Sequence, residues 1–211
     1  PVTLKMRTGW CADVRNAPTL ALAAEQAGVQ MLTVHGRTRE QGYSGQAEHD
    51  TVALIKSRVT VPVVANGDID CPQKAAAVLR RTGADAVMIG RAAQGRPWIF
   101  REIAHFLATG EFLPAPDWGE VRGWLVEHLH DHYDLYGEHT GVRSARKHLG
   151  WYVHALGLPA HEIALFRSRI NTLTRCEDQL QAVTESFDAW MSRPPTADAP
   201  PDGVTDWKLA A

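Results

Sequence analysis

The sequence is poor in cysteine. It holds only Cys11, Cys71 and Cys176 in 211 residues, with no CxxC and no Cys/His ligand pattern. That spacing argues against a disulfide framework and a structural zinc site, and it suits a reducing cytoplasm. Long hydrophobic runs are missing as well. No apolar stretch reaches the roughly 18 residues needed to cross a bilayer, and no secretory pattern opens the chain. Neither a membrane partner nor a metal is expected. Net charge is nearly absent, at -2 with 22% charged residues, so any polyanionic partner must be met by a local patch rather than a global field. What is present is 45% hydrophobic residues, enough to bury a core in one large or two modest domains. Pro1 stands directly before a strand-like run without an initiator methionine, which suggests sequence upstream.

From residue 1 to about 110, short apolar runs alternate with helical stretches, the pattern of parallel βαβ construction. Strands are predicted at residues 2–6, 31–35, 61–66 and 86–89, rich in Val, Ile, Leu or Met without strict alternation, which implies burial on both faces. Helices are predicted at 17–27, 50–57, 72–81 and 97–108, with Gly28, Gly83 and Gly110 as stops. This alternation suits an open doubly wound sheet and a closed barrel equally. The strand ends decide for the barrel. Each finishes in a polar or glycine-bearing cluster: Lys5-Met6-Arg7-Thr8-Gly9, His35-Gly36-Arg37-Thr38, Asn66-Gly67-Asp68 and Gly90-Arg91. Barrel enzymes keep their chemistry at that end and build a phosphate site after strands seven and eight. The expected fold class is therefore α/β, the C-terminal half of a TIM (β/α)8 barrel (strands 5 to 8), spanning residues 1–112. An all-α helical bundle follows at 117–191, with helices at 117–136, 140–156, 160–171 and 177–191. Leu113-Pro114-Ala115-Pro116 links the two, and the proline-rich residues 192–211 are expected to be a flexible tail.

The strongest chemical signal is the pairing of Asn66-Gly67-Asp68 with Gly90-Arg91. Glycine lets backbone N–H groups approach a phosphate, and a guanidinium adds charge-assisted hydrogen bonds. The plain alternative is two tight turns. Lys5 lies in an apolar strand and needs an anionic partner, either the electron-rich edge of a flavin or an internal carboxylate. His35 ends the next strand, where it can donate to a ligand or simply be a satisfied strand-end histidine. Arg37 and Arg39 suit a cofactor phosphate, a polyanion or a solvated loop, and Tyr43 suits base stacking or loop anchoring. Trp98 and Phe100 read as packing that docks a helix. In the bundle, Arg143, Arg146 and Lys147 share a helix side, with Trp151 and Tyr152 a turn later. Cations beside aromatics suit phosphate contact and base stacking, or a solvated face over a core Trp. Arg167, Arg169 and Arg175 add positive charge nearby.

The runs Leu4-Lys5-Met6-Arg7-Thr8-Gly9-Trp10, Thr33-Val34-His35-Gly36-Arg37-Thr38, Val64-Ala65-Asn66-Gly67-Asp68-Ile69 and Met88-Ile89-Gly90-Arg91-Ala92-Ala93-Gln94-Gly95-Arg96-Pro97-Trp98-Ile99-Phe100 resemble the bacterial tRNA-dihydrouridine synthases, B subfamily. The likeness continues through Arg146-Lys147-His148 and Trp151-Tyr152 to about residue 190. The resemblance implies an FMN-containing barrel and a helical domain that helps hold tRNA, with NADPH as reductant, and reduction of specific tRNA uridines to 5,6-dihydrouridine. It implies that Lys5 and His35 lie at the flavin ring, and that Asn66, Gly67, Asp68, Gly90 and Arg91 bind the ribityl chain and phosphate. The tRNA contacts fall to Arg143, Arg146 and Lys147. The family's proton-donating cysteine belongs to an Asn-x-Gly-Cys-Pro type motif, which this sequence lacks, and Cys11, Cys71 and Cys176 do not replace it by context. No catalytic residue is assigned. The chain is expected to be an incomplete portion that alone binds FMN weakly and is inactive. The competing classes are an FMN barrel oxidoreductase acting on a free pyrimidine or other small molecule, and a non-catalytic RNA-binding fragment.

Overall fold

A computed structural model describes residues 1–192 and divides the chain into two compact units. The first comprises residues 1–93 and 97–112. It is built from β1 (Thr3–Arg7), α1 (Ala17–Gln26), β2 (Met31–His35), α2 (Asp50–Lys56), β3 (Val63–Asn66), α3 (Pro72–Thr82), β4 (Ala86–Met88), one 3-10 turn (Arg91–Ala93) and α4 (Ile99–Thr109). The four strands are parallel and neighbour one another in chain order, β1-β2-β3-β4. Every strand therefore points the same way, and all four C-terminal ends lie at one edge of the sheet.

The strands predicted from sequence match within two residues at each end. The expected burial on both faces holds for β2 and β3: Leu32 and Val34 are buried on one face of β2 and Thr33 on the other, as are Val63 and Ala65 against Val64 in β3. It fails for β1 and β4, the outer strands of this sheet, each hydrogen-bonded on one side only. Around the sheet, Ala17, Ala21, Val52, Ile55, Ala75 and Ile99 close the core. A buried side chain the size of Leu or Ile contributes about 1.5–3 kcal/mol. Gly83 and Gly110 end α3 and α4 in left-handed conformation, as their positions in the sequence suggest.

The second unit takes residues 94–96 and the chain from Leu113 onward, and contains α5 (Trp118–Ala155), α6 (Ala160–Thr172) and α7 (Cys176–Met191). Asp117 and Glu120 form a capping box that starts α5, satisfying donors which the first turn would otherwise leave open. Helix α5 is not one rod. At Gly137 the backbone turns to φ 69°, ψ 169°, breaking α5 into the two arms that the sequence pattern predicts. Along a straight helix, His132 and His148 would be about 24 Å apart at 1.5 Å per residue, yet their ring centroids lie 5.2 Å apart. The arms therefore fold back on each other. Leu125, Leu129, Leu149, Val153, Ile170 and Phe187 are buried in this unit, with Tyr133 donating to Gln179 Oε1 at 2.6 Å inside it. The expected tail at 192–211 lies, apart from Ser192, outside the described residues. No helix among the described residues is long and apolar enough to cross a membrane.

Candidate functional site

The C-terminal ends of the four strands gather the residues singled out in the first unit. His35 and Asn66 face each other in register at the ends of β2 and β3. Asn66 Nδ2 donates to the Met88 carbonyl at 2.8 Å, tying the end of β3 to β4. Gly67 follows at φ 124°, where a Cβ would lie 2.7 Å from Ala47 Cβ and 3.0 Å from His35 Cδ2. The turn thus needs glycine for its conformation and for space.

Asp68 is the hub of this edge. Its carboxylate accepts from Arg37 Nη1 at 2.9 Å, Arg37 Nη2 at 2.7 Å, the Ala47 N–H at 2.8 Å and Arg91 Nη2 at 3.1 Å. Burial pushes its pKa up, but the hydrogen bonds from Ala47 and Arg37 and the charges of Arg37 and Arg91 outweigh this and hold it below the usual value. Arg37 also donates from Nε to Ser44 O and from Nη2 to Gly45 O, at 3.1 and 2.6 Å. Its side chain is only 3% exposed, so its guanidinium is consumed inside the protein. Neither the phosphate contact nor the solvated loop weighed for Arg37 describes it. Arg91 is different: its side chain is 52% exposed and lies over the Tyr43 ring at 5.1 Å. Arg7 approaches the same ring at 6.0 Å while donating to Thr38 O and Gly42 O. Tyr43 itself is exposed. Beside Gly90 an added Cβ would meet nothing within 4 Å, so this backbone borders open space.

His35 is buried, and burial together with the Arg7, Lys5 and Arg37 charges pushes its pKa down to about 4, Asp68 opposing. At neutral pH it is an uncharged imidazole that can donate one hydrogen bond and accept one. Lys5 is exposed on β1. The charged side chains converging here, Arg7, Arg37 and Arg91, are cationic apart from Asp68, an arrangement suited to a phosphorylated ligand.

The family model described as "Dihydrouridine synthase (Dus)" matches residues 1–190. The chain belongs to the dihydrouridine synthase family. It is similar to the tRNA-dihydrouridine synthase B of Xanthomonas axonopodis pv. citri, with 57% identity over 197 residues, 93% of this chain and 58% of that protein. The corresponding figures are 56% over 187 residues, 89% and 55%, for the Pseudomonas aeruginosa protein. For that of Salmonella typhimurium they are 50% over 190 residues, 89% and 57%. The chain thus spans between 55% and 58% of the length of these curated relatives.

The second unit of this dihydrouridine synthase family member carries the basic residues noted in its sequence. Arg143 and Lys147 are exposed on α5, and Lys147 Nζ lies over the Trp151 ring at 4.9 Å. Arg146 is half-buried and donates to the Leu173 carbonyl at 2.9 Å, which ties α5 to the end of α6. Arg169 pairs with Glu185, and Arg175 with Glu177 at 2.8 Å. Trp98 is buried as expected of packing, but Phe100 is 54% exposed, because it opens α4 on its solvent side.

Two features were missed by sequence reasoning. One is the Arg37–Asp68 pairing, 31 residues apart. The other is a cluster of His128, His132 and His148 in the second unit. The spacing of His128 and His132, four residues on a predicted helix, was the available signal for that cluster.

Proposed function

We propose that residues 1–112 are strands five to eight of an FMN-binding (β/α)8 barrel, and residues 117–191 a tRNA-binding helical domain, of an NADPH-using enzyme that reduces tRNA uridines to dihydrouridine. The observation that carries this reading is the junction of the Gly67-Asp68 and Gly90-Arg91 turns through a 3.1 Å ion pair at one sheet edge. Phosphate sites of barrels sit at those two successive turns. The sequential parallel order of β1 to β4 supports consecutive barrel strands, since doubly wound sheets reverse order at a switch point. The names of the relatives support the substrate.

The residues present fit a flavin mononucleotide. Arg91, with most of its donors uncommitted by the Asp68 contact, would hold the phosphate together with the backbone at Gly67 and Gly90. Asn66 would hold the ribityl chain. Asp68, an anion, suits positioning Arg91 and Arg37 better than touching phosphate. Lys5 and neutral His35 would lie at the ring. FMN, when bound and reduced by NADPH, would supply hydride to the uridine. The protein's own part is to orient the cofactor and the flipped-out base. The general acid is not assigned to Cys11, Cys71 or Cys176. Arg143, Lys147 and Trp151 would meet the tRNA backbone and a base, while Arg146 also braces α6.

Deleting the gene should remove dihydrouridine from one or more tRNA positions, measured by mass spectrometry of digested tRNA. The wild-type gene should restore it and an Arg91→Ala gene should not. Unchanged dihydrouridine after deletion would overturn the proposal.

A further inference from the structure

We propose that His128, His132 and His148 form a site for one divalent transition-metal ion, preferentially zinc, that clips together the two arms of α5 across the break at Gly137. The three side chains each offer a ring nitrogen, and these atoms lie within 4.8 Å of one another. Nitrogens bound to a tetrahedral zinc at about 2.0–2.1 Å sit roughly 3.3 Å apart, so modest side-chain rotation brings this set into range. His128 and His132 stand four residues apart on the first arm, the spacing that puts two histidines on one helix face toward a metal. His148 comes from the second arm, with its ring centroid 5.0 Å from that of His128 and 5.2 Å from that of His132. One ligand pair and one single ligand therefore meet from two segments that only the reversal at Gly137 brings together.

The surroundings are those of oriented ligands. Ser144 Oγ donates to the Thr140 carbonyl at 2.8 Å and lies 2.7 Å from His132 Nε2. With the hydroxyl hydrogen committed, that nitrogen is the donor and Nδ1 keeps its lone pair. The Tyr152 hydroxyl lies 3.4 Å from His128 Nδ1, leaving Nε2 for a ligand. Hydrogen bonding of one ring nitrogen by a neighbouring group is how metal-bound histidines are held. His148 is braced edge-on against Trp151 at 5.2 Å. The nearest cation, Lys147, is drawn over the Trp151 ring. Three imidazoles without a carboxylate or thiolate favour borderline ions such as Zn2+ over Mg2+ or Ca2+. With three protein ligands, a fourth position stays open to water. The site lies in the second unit and does not depend on the flavin assignment.

The test uses the tag-free, metal-stripped full chain titrated with Zn2+ and, for its visible spectrum, Co2+. Expected are one ion per chain, a tetrahedral Co2+ absorption band, and a Zn2+-dependent rise in the unfolding temperature. X-ray absorption of the Zn2+-loaded wild type should show imidazole scattering and no sulfur shell, a readout that needs no variant to fold. His128→Ala, His132→Ala and His148→Ala should each weaken Zn2+ by more than about a hundredfold, since losing merely a group that orients a ligand costs roughly 10–100-fold. Exposed His130→Ala and His139→Ala should leave it unchanged. A sulfur shell, no stoichiometric binding, or affinity indifferent to all three substitutions would overturn the proposal. So would loss of tRNA affinity in the three variants with no metal bound to the wild type, which would make the cluster an RNA contact.

Discussion

Removing the Asp68 carboxylate is the sharpest perturbation of the strand-end site. Asp68→Ala takes away the acceptor of both Arg37 terminal nitrogens and of the Ala47 N–H. Arg37 keeps two carbonyl acceptors, but these do not neutralise a guanidinium whose side chain is 3% exposed. Breaking a fully buried pair costs about 3–5 kcal/mol. Asp68 is itself 30% exposed, so water partly replaces it and the expected loss is about 2–3 kcal/mol. Asp68→Asn preserves shape and one acceptor and should lose about 1–2 kcal/mol. Urea unfolding at neutral pH measures both. The folded pKa of Asp68 lies below its ordinary 3.8. Its contribution is therefore complete above that value and fades as pH falls through the folded pKa, so the gap between wild type and Asp68→Ala should close in acid. An Asp68→Ala loss within about 0.5 kcal/mol at neutral pH, the range of an ordinary surface substitution, would refute the hub.

Other outcomes follow from the same geometry. Gly67→Ala forces a Cβ into Ala47 and His35 at φ 124° and should cost about 1–3 kcal/mol, whereas Gly90→Ala enters open space and should leave the melting temperature unchanged while weakening FMN binding measured by fluorescence. His35 should titrate near 4 by NMR. Because its folded pKa is below the unfolded 6.5, stability should fall as pH drops from about 6.5 to about 4, and a folded-state titration near 6.5 would contradict the burial. Tyr133→Phe leaves Gln179 Oε1 without its 2.6 Å donor and should cost about 1–2 kcal/mol in urea unfolding.

Periodicity carried the element order in full, because β2 and β3 are continuous apolar runs and α3, α4 and α5 end or break at glycines that sit beyond their last apolar turn. It misjudged β1 and β4, since burial of an outer strand depends on what lies beside it rather than on its own residues. At the site, the strand-end positions of His35, Asn66, Gly67 and Arg91 were legible, because parallel strands place their C-terminal residues at one edge. Roles were less so. Arg37 and Arg91 follow similar glycine-bearing strand ends, yet one is sealed inside its loop and the other is half-exposed. Only the return of residues 44–47 onto Arg37 and Asp68, a tertiary event, separates them. The His148 approach to His128 was hidden for the same reason, because it depends on a reversal at a single glycine.

An acidic residue stands at the centre of the proposed anion site. Arg7 and Arg91 lie against the Tyr43 ring, and Arg37 and Arg91 pair with the Asp68 carboxylate. Without Asp68, the half-exposed Arg91 would lose its one ion pair, and an arriving phosphate would have to order it, at a cost of about 0.5–1.5 kcal/mol for such a side chain. With Asp68, Arg91 is held by one hydrogen bond and by the Tyr43 ring, which leaves its other donors free, while the doubly bonded and buried Arg37 anchors the carboxylate. The cationic excess remains and its geometry is set in advance. This predicts that Asp68→Asn weakens FMN binding by unseating Arg91 while leaving the salt dependence of binding at least as steep as in the wild type, because it removes a negative charge, whereas Arg91→Ala flattens the salt dependence by deleting a cation that meets the phosphate. Wild-type FMN affinity in Asp68→Asn would refute the positioning role.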